Sequence, residues 1–186
     1  MSSIASLWLP ILASAVAVFI ASSLIHMVLP WHKNDYPRLA NEDAVMDALR
    51  PLGIPPGEYF VPRPASRDAL RSPEFIERAN RGPVFILNMM PNGILPMGSS
   101  LAQWFVFLLF VAGFAGHIAM RAITPPAPHY TIFHTVGLSA FMGYAFALWT
   151  MSVWYRRPWM TTIKATVDGL IYALITAEIF VLLWPK

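Results

Sequence analysis

Four long apolar stretches divide the chain, and they cover residues 4–29, 101–122, 130–154 and 163–184. An α-helix rises about 1.5 Å per residue, so each stretch is long enough to cross the ~30 Å hydrocarbon core of a bilayer. Helices of a water-soluble core would carry a polar face, and these stretches have almost no polar positions. The pattern therefore predicts an all-α membrane protein, a four-transmembrane-helix bundle surrounded by the lipid bilayer. We expect the first stretch to be retained as a span, since about 26 residues exceed the apolar region of a signal peptide.

A more polar segment, residues 30–100, separates the first two stretches. It predicts two short helices, which begin after the cap residues Asn41 and Ser72 and carry acidic residues in their first turns. Two apolar runs, residues 58–61 and 84–90, predict short strands. We therefore expect a small α+β loop domain, whose roughly 70 residues can bury only a thin core of their own.

Basic residues are distributed unevenly between the loops. In a four-span topology the 30–100 loop and the loop between the third and fourth stretches share one side of the membrane. That side carries eleven Lys and Arg residues, and the side of the two termini carries two. The positive-inside rule then predicts a cytoplasmic 30–100 loop and termini on the opposite side. No basic stripe with interleaved aromatic residues is present, so we expect no nucleic-acid partner.

The sequence offers no recognisable catalytic site. The chain has no cysteine, which excludes disulfides, thiolate nucleophiles and cysteine-ligated zinc or iron–sulfur centres. Asp168 and Glu178 are ten residues apart, about 15 Å along a helix, and cannot act as a carboxylate pair. No Ser-His-Asp arrangement and no phosphate-binding glycine loop occurs. A non-enzymatic protein is the favoured interpretation.

Five histidine, aspartate and glutamate residues fall inside the apolar stretches, where ionisable groups are costly and are candidates for function. Their positions place them in two layers. His117, His134 and Glu178 come at similar depth near the side of the termini, and His26 and Asp168 near the side of the 30–100 loop.

The layer of His117, His134 and Glu178 has four interpretations. The two histidines could ligate the iron of haem b axially. With Glu178 they could hold a transition metal, or a His–Glu pair could relay protons. Local hydrogen bonding is the favoured interpretation of all three. Asp168 has a structural explanation in Lys164, because residues four apart on a helix can form an ion pair.

Small residues recur at four-residue spacing in three of the spans, which favours close packing of helices. These residues are Ala13, Ala17 and Ala21 in the first span, Ala112, Ala115, Gly116 and Ala119 in the second, and Gly169, Ala173 and Ala177 in the fourth. Together with the thin loop domain, they favour an accessory or assembly component that docks onto other membrane protein subunits or onto a second copy. One alternative is a haem- or metal-binding redox protein that uses His117 and His134. Another is a small proton- or solute-conducting protein.

Several segments resemble an uncharacterised family of bacterial inner-membrane proteins with four helices. They are residues 31–36 (WHKNDY), 41–50 (NEDAVMDALR), 54–59 (IPPGEY), 154–159 (WYRRPW) and 168–174 (DGLIYAL). The resemblance implies a bacterial origin and a location in the inner membrane, where the predicted topology makes both termini periplasmic. It implies no particular activity.

Overall fold

The computed structural model describes residues 4–124 and 126–185 and is mostly helical. In chain order its main elements are α1 (Ile4–Val28), α2 (Glu42–Leu49), β1 (Gly57–Val61), α3 (Pro73–Arg81), β2 (Phe85–Met89), α4 (Met97–Ala122), α5 (His129–Tyr155) and α6 (Trp159–Leu183). Four of them, α1, α4, α5 and α6, contain 25–27 residues each and are apolar enough to cross a membrane. The prediction of four such helices with a small two-stranded sheet is therefore confirmed, and these helices indicate a multi-pass membrane protein.

The chain forms two compact units. The helical unit contains the residues up to Pro37 and those from Pro96 onwards, and the second unit is Arg38–Leu95. The helical unit thus includes the first residues of the predicted loop, 30–37, and α4 begins at Met97 rather than at residue 101.

Glycine and alanine bring the helices of the first unit close together. A Cβ atom added at Gly116 of α4 would lie only 2.7 Å from the Phe180 ring of α6, and one at Gly169 of α6 would lie 3.1 Å from Cβ of Ala145 in α5. The small-residue stripes predicted on α4 and α6 are buried in this way inside the bundle. On α1 the predicted stripe is only half-buried. The buried residues of this helix are Leu7, Pro10, Ser14, Ala15, Val18, Ser22 and Ile25.

Polar side chains tie α5 to α6 near the end of the hairpin that joins them. The buried hydroxyls of Ser152 and Thr162 form a hydrogen bond of 2.7 Å. The indole N–H of Trp149 donates to Oγ1 of Thr166 at 3.1 Å. These bonds fix the first turns of α6, which carry Lys164.

The Arg38–Leu95 unit contains an antiparallel ribbon and two short helices. Strands β1 and β2 pair in the register from Gly57 with Met89 to Val61 with Phe85. Ser72 caps α3 by accepting a hydrogen bond from the Phe75 N–H at 3.2 Å, whereas the Asn41 side chain makes no capping bond at α2. Helices α2 and α3 make their main contacts with the adjacent turns, Arg50–Leu52 and Ala69–Arg71, rather than with the ribbon.

Candidate functional site

Helix α1 ends in a widened turn that carries His26. Residues Leu24–Val28 are π-helical, and the N–H of Leu29 donates to the carbonyl of Leu24 at 3.1 Å. Ser22 and Ser23 donate their hydroxyls back to the carbonyl of Phe19, a bond that competes with regular helix hydrogen bonding. Pro30 follows and cannot donate a backbone hydrogen bond, so the helix stops there. Single π turns of this kind occur frequently at functional sites.

The chain then folds back so that His32 lies against both α1 and α6. The short 3₁₀ turn Pro30–His32 stacks the imidazole of His32 on that of His26, with ring centroids 4.3 Å apart and planes 13° from parallel. Nε2 of His32 lies 2.8 Å from Oδ2 of Asp168 on α6, and Nδ1 lies 2.7 Å from Oδ2 of Asp35. The His32 ring therefore bridges two carboxylates.

Both ring nitrogens of His32 face oxygens that only accept hydrogen bonds when they are ionised. Each bond places one proton between a ring nitrogen of His32 and a carboxylate oxygen. Lys164 supplies a positive charge beside Asp35, because its Nζ donates to Oδ1 of Asp35 at 2.7 Å. Lys164 also lies over the Trp31 ring, with Nζ 5.7 Å from the ring centroid.

Asp35 is the link between His32 and Lys164. Its side chain is only 9% exposed. Burial by itself raises the pKa of the Asp35 carboxyl, but hydrogen bonds from His32 and Lys164, with their positive charges, outweigh it and lower the pKa below its ordinary value of 3.8. Asp35 is therefore ionised at neutral pH.

Asp168 is the most buried member of the cluster, at 3% exposure. Oδ2 bonds to His32, but Oδ1 has no hydrogen-bonding partner among the residues that the structure describes. The hydroxyl of Tyr172, one helical turn further along α6, also lacks a partner within the described chain. Buried polar atoms without partners are costly and require an explanation.

The cluster differs from the sequence-based expectation in its pairing. The structure brings His26 and Asp168 together, as their predicted depths imply. Lys164 does not bond to Asp168, however, because the nearer carboxylate of Asp35 takes the ammonium group and His32 takes Asp168. Asp35 and His32 were not expected in the site, and the signal for them was their position just after His26 and Pro30.

The other layer predicted from the sequence, that of His117, His134 and Glu178, does not belong to the ionic cluster. All three side chains are exposed on the surface of the helices. The His134 ring lies against the ring of Tyr130, with centroids 4.1 Å apart. Within the described residues, the histidine and carboxylate side chains gathered closely enough to hold one metal ion are His26, His32 and Asp168, whose ligand atoms lie within 4.8 Å of one another. Haem ligation by His117 and His134 stays a prediction.

The Arg38–Leu95 unit offers a second candidate site, an exposed apolar surface. Pro62 is its only buried residue, and neither α2 nor α3 buries a side chain. Val45, Met46 and Leu52 line one side of α2 and the turn that follows it, with exposures of 42%, 54% and 64%. We call these three residues the α2 patch. The unit therefore forms its helices and ribbon without burying a core.

The four helices are long and apolar enough to cross a membrane, and they indicate a multi-pass membrane protein. Comparison with protein-family models, with curated protein sequences and with solved structures gave no match. The ionic cluster and the α2 patch are therefore the features of the molecule that bear on its function.

Proposed function

We propose that the protein is a non-enzymatic accessory component of a larger membrane complex. In this proposal its four helices form the anchor, and the Arg38–Leu95 unit docks onto another protein subunit. The observation that carries the proposal is the missing core of that unit, in which Pro62 alone is buried. A two-stranded ribbon with uncovered faces is marginal in water, and burying a large apolar side chain contributes about 1.5–3 kcal/mol. A partner surface would supply the burial that the unit lacks.

The charge of the unit favours a protein partner over a lipid surface. Residues 38–95 contain seven arginines and no lysine, and they contain seven aspartates and glutamates. Anionic lipid headgroups attract segments with a clear basic surplus. A unit with no net charge and exposed Val, Met, Leu and Phe side chains is better suited to a protein surface, whose buried centre is apolar and poor in charge.

The small-residue stripes contribute less to this proposal than the sequence suggested. Those on α4 and α6 are used inside the bundle, so they are not free to receive another helix. The half-buried alanines of α1 remain partly accessible. Docking is therefore assigned to the Arg38–Leu95 unit.

The charge distribution and the family resemblance support a proposed location. Eleven basic residues against two favour a cytoplasmic Arg38–Leu95 unit with both termini periplasmic. The resemblance favours the bacterial inner membrane. The partner would then present its docking surface on the cytoplasmic side of that membrane.

The test changes the α2 patch and measures the size of the native particle. The wild-type protein and a Val45→Ser/Met46→Ser variant are extracted from native membranes in mild detergent, and particle mass is measured by light scattering after gel filtration. We expect the wild type to travel in a particle whose protein mass exceeds its own 20.8 kDa. The variant should bind its partner at least tenfold more weakly, because it loses two apolar anchors of roughly 1.5–3 kcal/mol each.

The matched control is Ala44→Ser/Ala48→Ser, which adds two hydroxyls to the same helix outside the α2 patch. Ala44 and Ala48 are exposed, so this variant should keep the wild-type particle mass. A wild-type particle that holds a single copy of the chain and no other protein would contradict the proposal, as would equal dissociation of both variants. Co-capture of two differently tagged copies, without another subunit, would identify a homo-oligomer instead of an accessory component.

A further inference from the structure

We infer that His26, His32 and Asp168 form a binding site for one divalent transition-metal ion of the Zn²⁺ class. This site lies in the helical unit, apart from the α2 patch on which the docking proposal depends. The two proposals therefore succeed or fail independently.

The donor atoms define the kind of ion. Two imidazole nitrogens and one carboxylate suit first-row transition metals, whereas Ca²⁺ and Mg²⁺ prefer oxygen ligands alone. Three protein ligands leave a further position for water, as in metal sites that are not purely structural. The composition of the set thus favours Zn²⁺, Co²⁺ or Fe²⁺ over the hard cations.

The hydrogen bonds around His26 and His32 also favour a transition-metal site. Nδ1 of His26 lies 3.0 Å from the carbonyl of Ser22, and Nδ1 of His32 lies 2.7 Å from Asp35, which Lys164 holds in turn. Histidines that bind metals almost always donate their other ring N–H to a carbonyl or a carboxylate. This arrangement fixes Nε2 as the metal-binding nitrogen of each ring.

The unpartnered oxygen of Asp168 is the independent observation that points to a ligand. Asp168 is 3% exposed, and its Oδ1 has no protein partner among the described residues. A cation bound beside the carboxylate would compensate this buried oxygen. Without a cation, the hydrogen bond between His32 and Oδ2 of Asp168 leaves Oδ1 of Asp168 without a partner.

Binding requires a small rearrangement and the release of one proton. Metal–nitrogen and metal–oxygen bonds are about 2.0–2.2 Å long, so ligand atoms up to 4.8 Å apart must move closer together. The stacked rings also cannot both point at one ion until one of them turns. His26 is the ring that shifts more easily, because it is exposed and has one hydrogen bond, to the Ser22 carbonyl, whereas two carboxylates hold His32. The ion then displaces the proton of the hydrogen bond between Nε2 of His32 and Oδ2 of Asp168, and that proton leaves as H⁺.

The experiment measures metal content and affinity in the purified full-length protein. A purification tag without histidine is used, the protein is treated with a chelator, and Zn²⁺ is added back before unbound metal is removed. We expect about one Zn²⁺ per chain. Co²⁺ added in its place should produce visible absorption bands of a site with nitrogen and oxygen ligands. The Asp168→Asn and His32→Ala variants should bind Zn²⁺ at least tenfold more weakly.

Two further variants keep the result interpretable if a buried substitution impairs folding. His26→Ala changes an exposed residue, should leave the helical signal in circular dichroism intact, and should still weaken Zn²⁺ binding at least tenfold. His117→Ala, also exposed but distant in the chain, is the matched control and should bind Zn²⁺ as the wild type does. A wild type that retains no Zn²⁺, or unchanged binding in His26→Ala, would overturn the inference. Loss of binding in His117→Ala alone would overturn it too and would support the site predicted at His117 and His134.

Discussion

At the scale of single residues, Asp35 holds the ionic cluster together. It accepts a hydrogen bond from His32 at 2.7 Å and another from Lys164 at 2.7 Å, and its side chain is nearly buried. Removing one partner of such a group leaves the other charge without compensation in a poorly solvated place. The interaction energy between Asp35 and Lys164 should therefore be larger than that of an ion pair exposed to water.

A double-mutant cycle with Asp35→Asn and Lys164→Met tests this expectation. The coupling energy between the two residues, measured from unfolding in detergent, should be about 0.5–3 kcal/mol. The pKa of the Asp35 carboxyl is lowered, so its contribution is complete above the ordinary value of 3.8 and is lost as the pH falls through the lowered pKa. The coupling should accordingly be constant from neutral pH down to about pH 4 and should shrink below it.

The exposed pair of Arg38 and Glu42, at 3.5 Å, is the control for this cycle. Exposed ion pairs contribute roughly 0–1 kcal/mol, so its coupling should be the smaller of the two. Equal coupling energies for the two pairs would mean that Asp35 and Lys164 interact as an ordinary surface pair.

Part of this cluster could be predicted from the sequence. His26 and Asp168 stand out because an ionisable residue interrupts an apolar stretch. His32 and Asp35 do not stand out in the sequence, since they belong to a polar segment. The π turn and Pro30 bring that segment back onto α6. The spacing of Lys164 and Asp168 is correct for an ion pair within one helix, but spacing alone does not reveal a competing carboxylate from elsewhere in the chain.

At the scale of elements, the contact between α4 and α6 depends on the absence of a side chain at Gly116. A Cβ atom there would lie 2.7 Å from Cε1 and 3.0 Å from Cζ of Phe180, and 3.2 Å from Cδ1 of Leu7. Phe180 is completely buried, so its ring has no free space to enter. Overpacked cores respond with shifted side chains and backbones.

Gly116→Ala should therefore lower the free energy of unfolding by about 1–3 kcal/mol. Gly113→Ala on the same helix is the matched control, because an added Cβ there would meet no atom within 4 Å. Replacing glycine with alanine inside a helix otherwise stabilises it by about 0.5–1 kcal/mol. Thermal unfolding followed by circular dichroism should show a lower Tm for Gly116→Ala and an equal or higher Tm for Gly113→Ala. The packing argument fails if the two variants change Tm in the same direction by the same amount.

The apolar pattern located the helices better than it located their ends. The second stretch was predicted from residue 101, but α4 begins at Met97. Its first turn is polar, and the Ser99 hydroxyl bonds back to the carbonyl of Pro96 at 2.9 Å. Hydropathy identifies the part of a helix that lipid could surround, whereas hydrogen bonding decides where the helix starts. The two predicted strands were found because their apolar runs are short and bounded by turn residues.

At the scale of the whole molecule, the proposed orientation makes a prediction that the cysteine-free chain is well suited to test. No cysteine is present, so a single introduced thiol is labelled without background. Ala65 lies in the Arg38–Leu95 unit and Thr124 follows α4, and both are exposed. With the proposed topology, Ala65→Cys lies in the cytoplasm and Thr124→Cys lies in the periplasm.

A membrane-impermeant maleimide should therefore label Thr124→Cys in intact cells and leave Ala65→Cys unlabelled until the membrane is opened. The physical reason is that eleven of the thirteen Lys and Arg residues lie in or next to the two loops on that side, and the positive-inside rule retains such loops in the cytoplasm. The opposite labelling pattern would place that unit in the periplasm, and a cytoplasmic docking partner would then be impossible. Labelling of both thiols in intact cells would mean that the chain inserts in two orientations, so that only a fraction of the molecules could present the α2 patch to one partner.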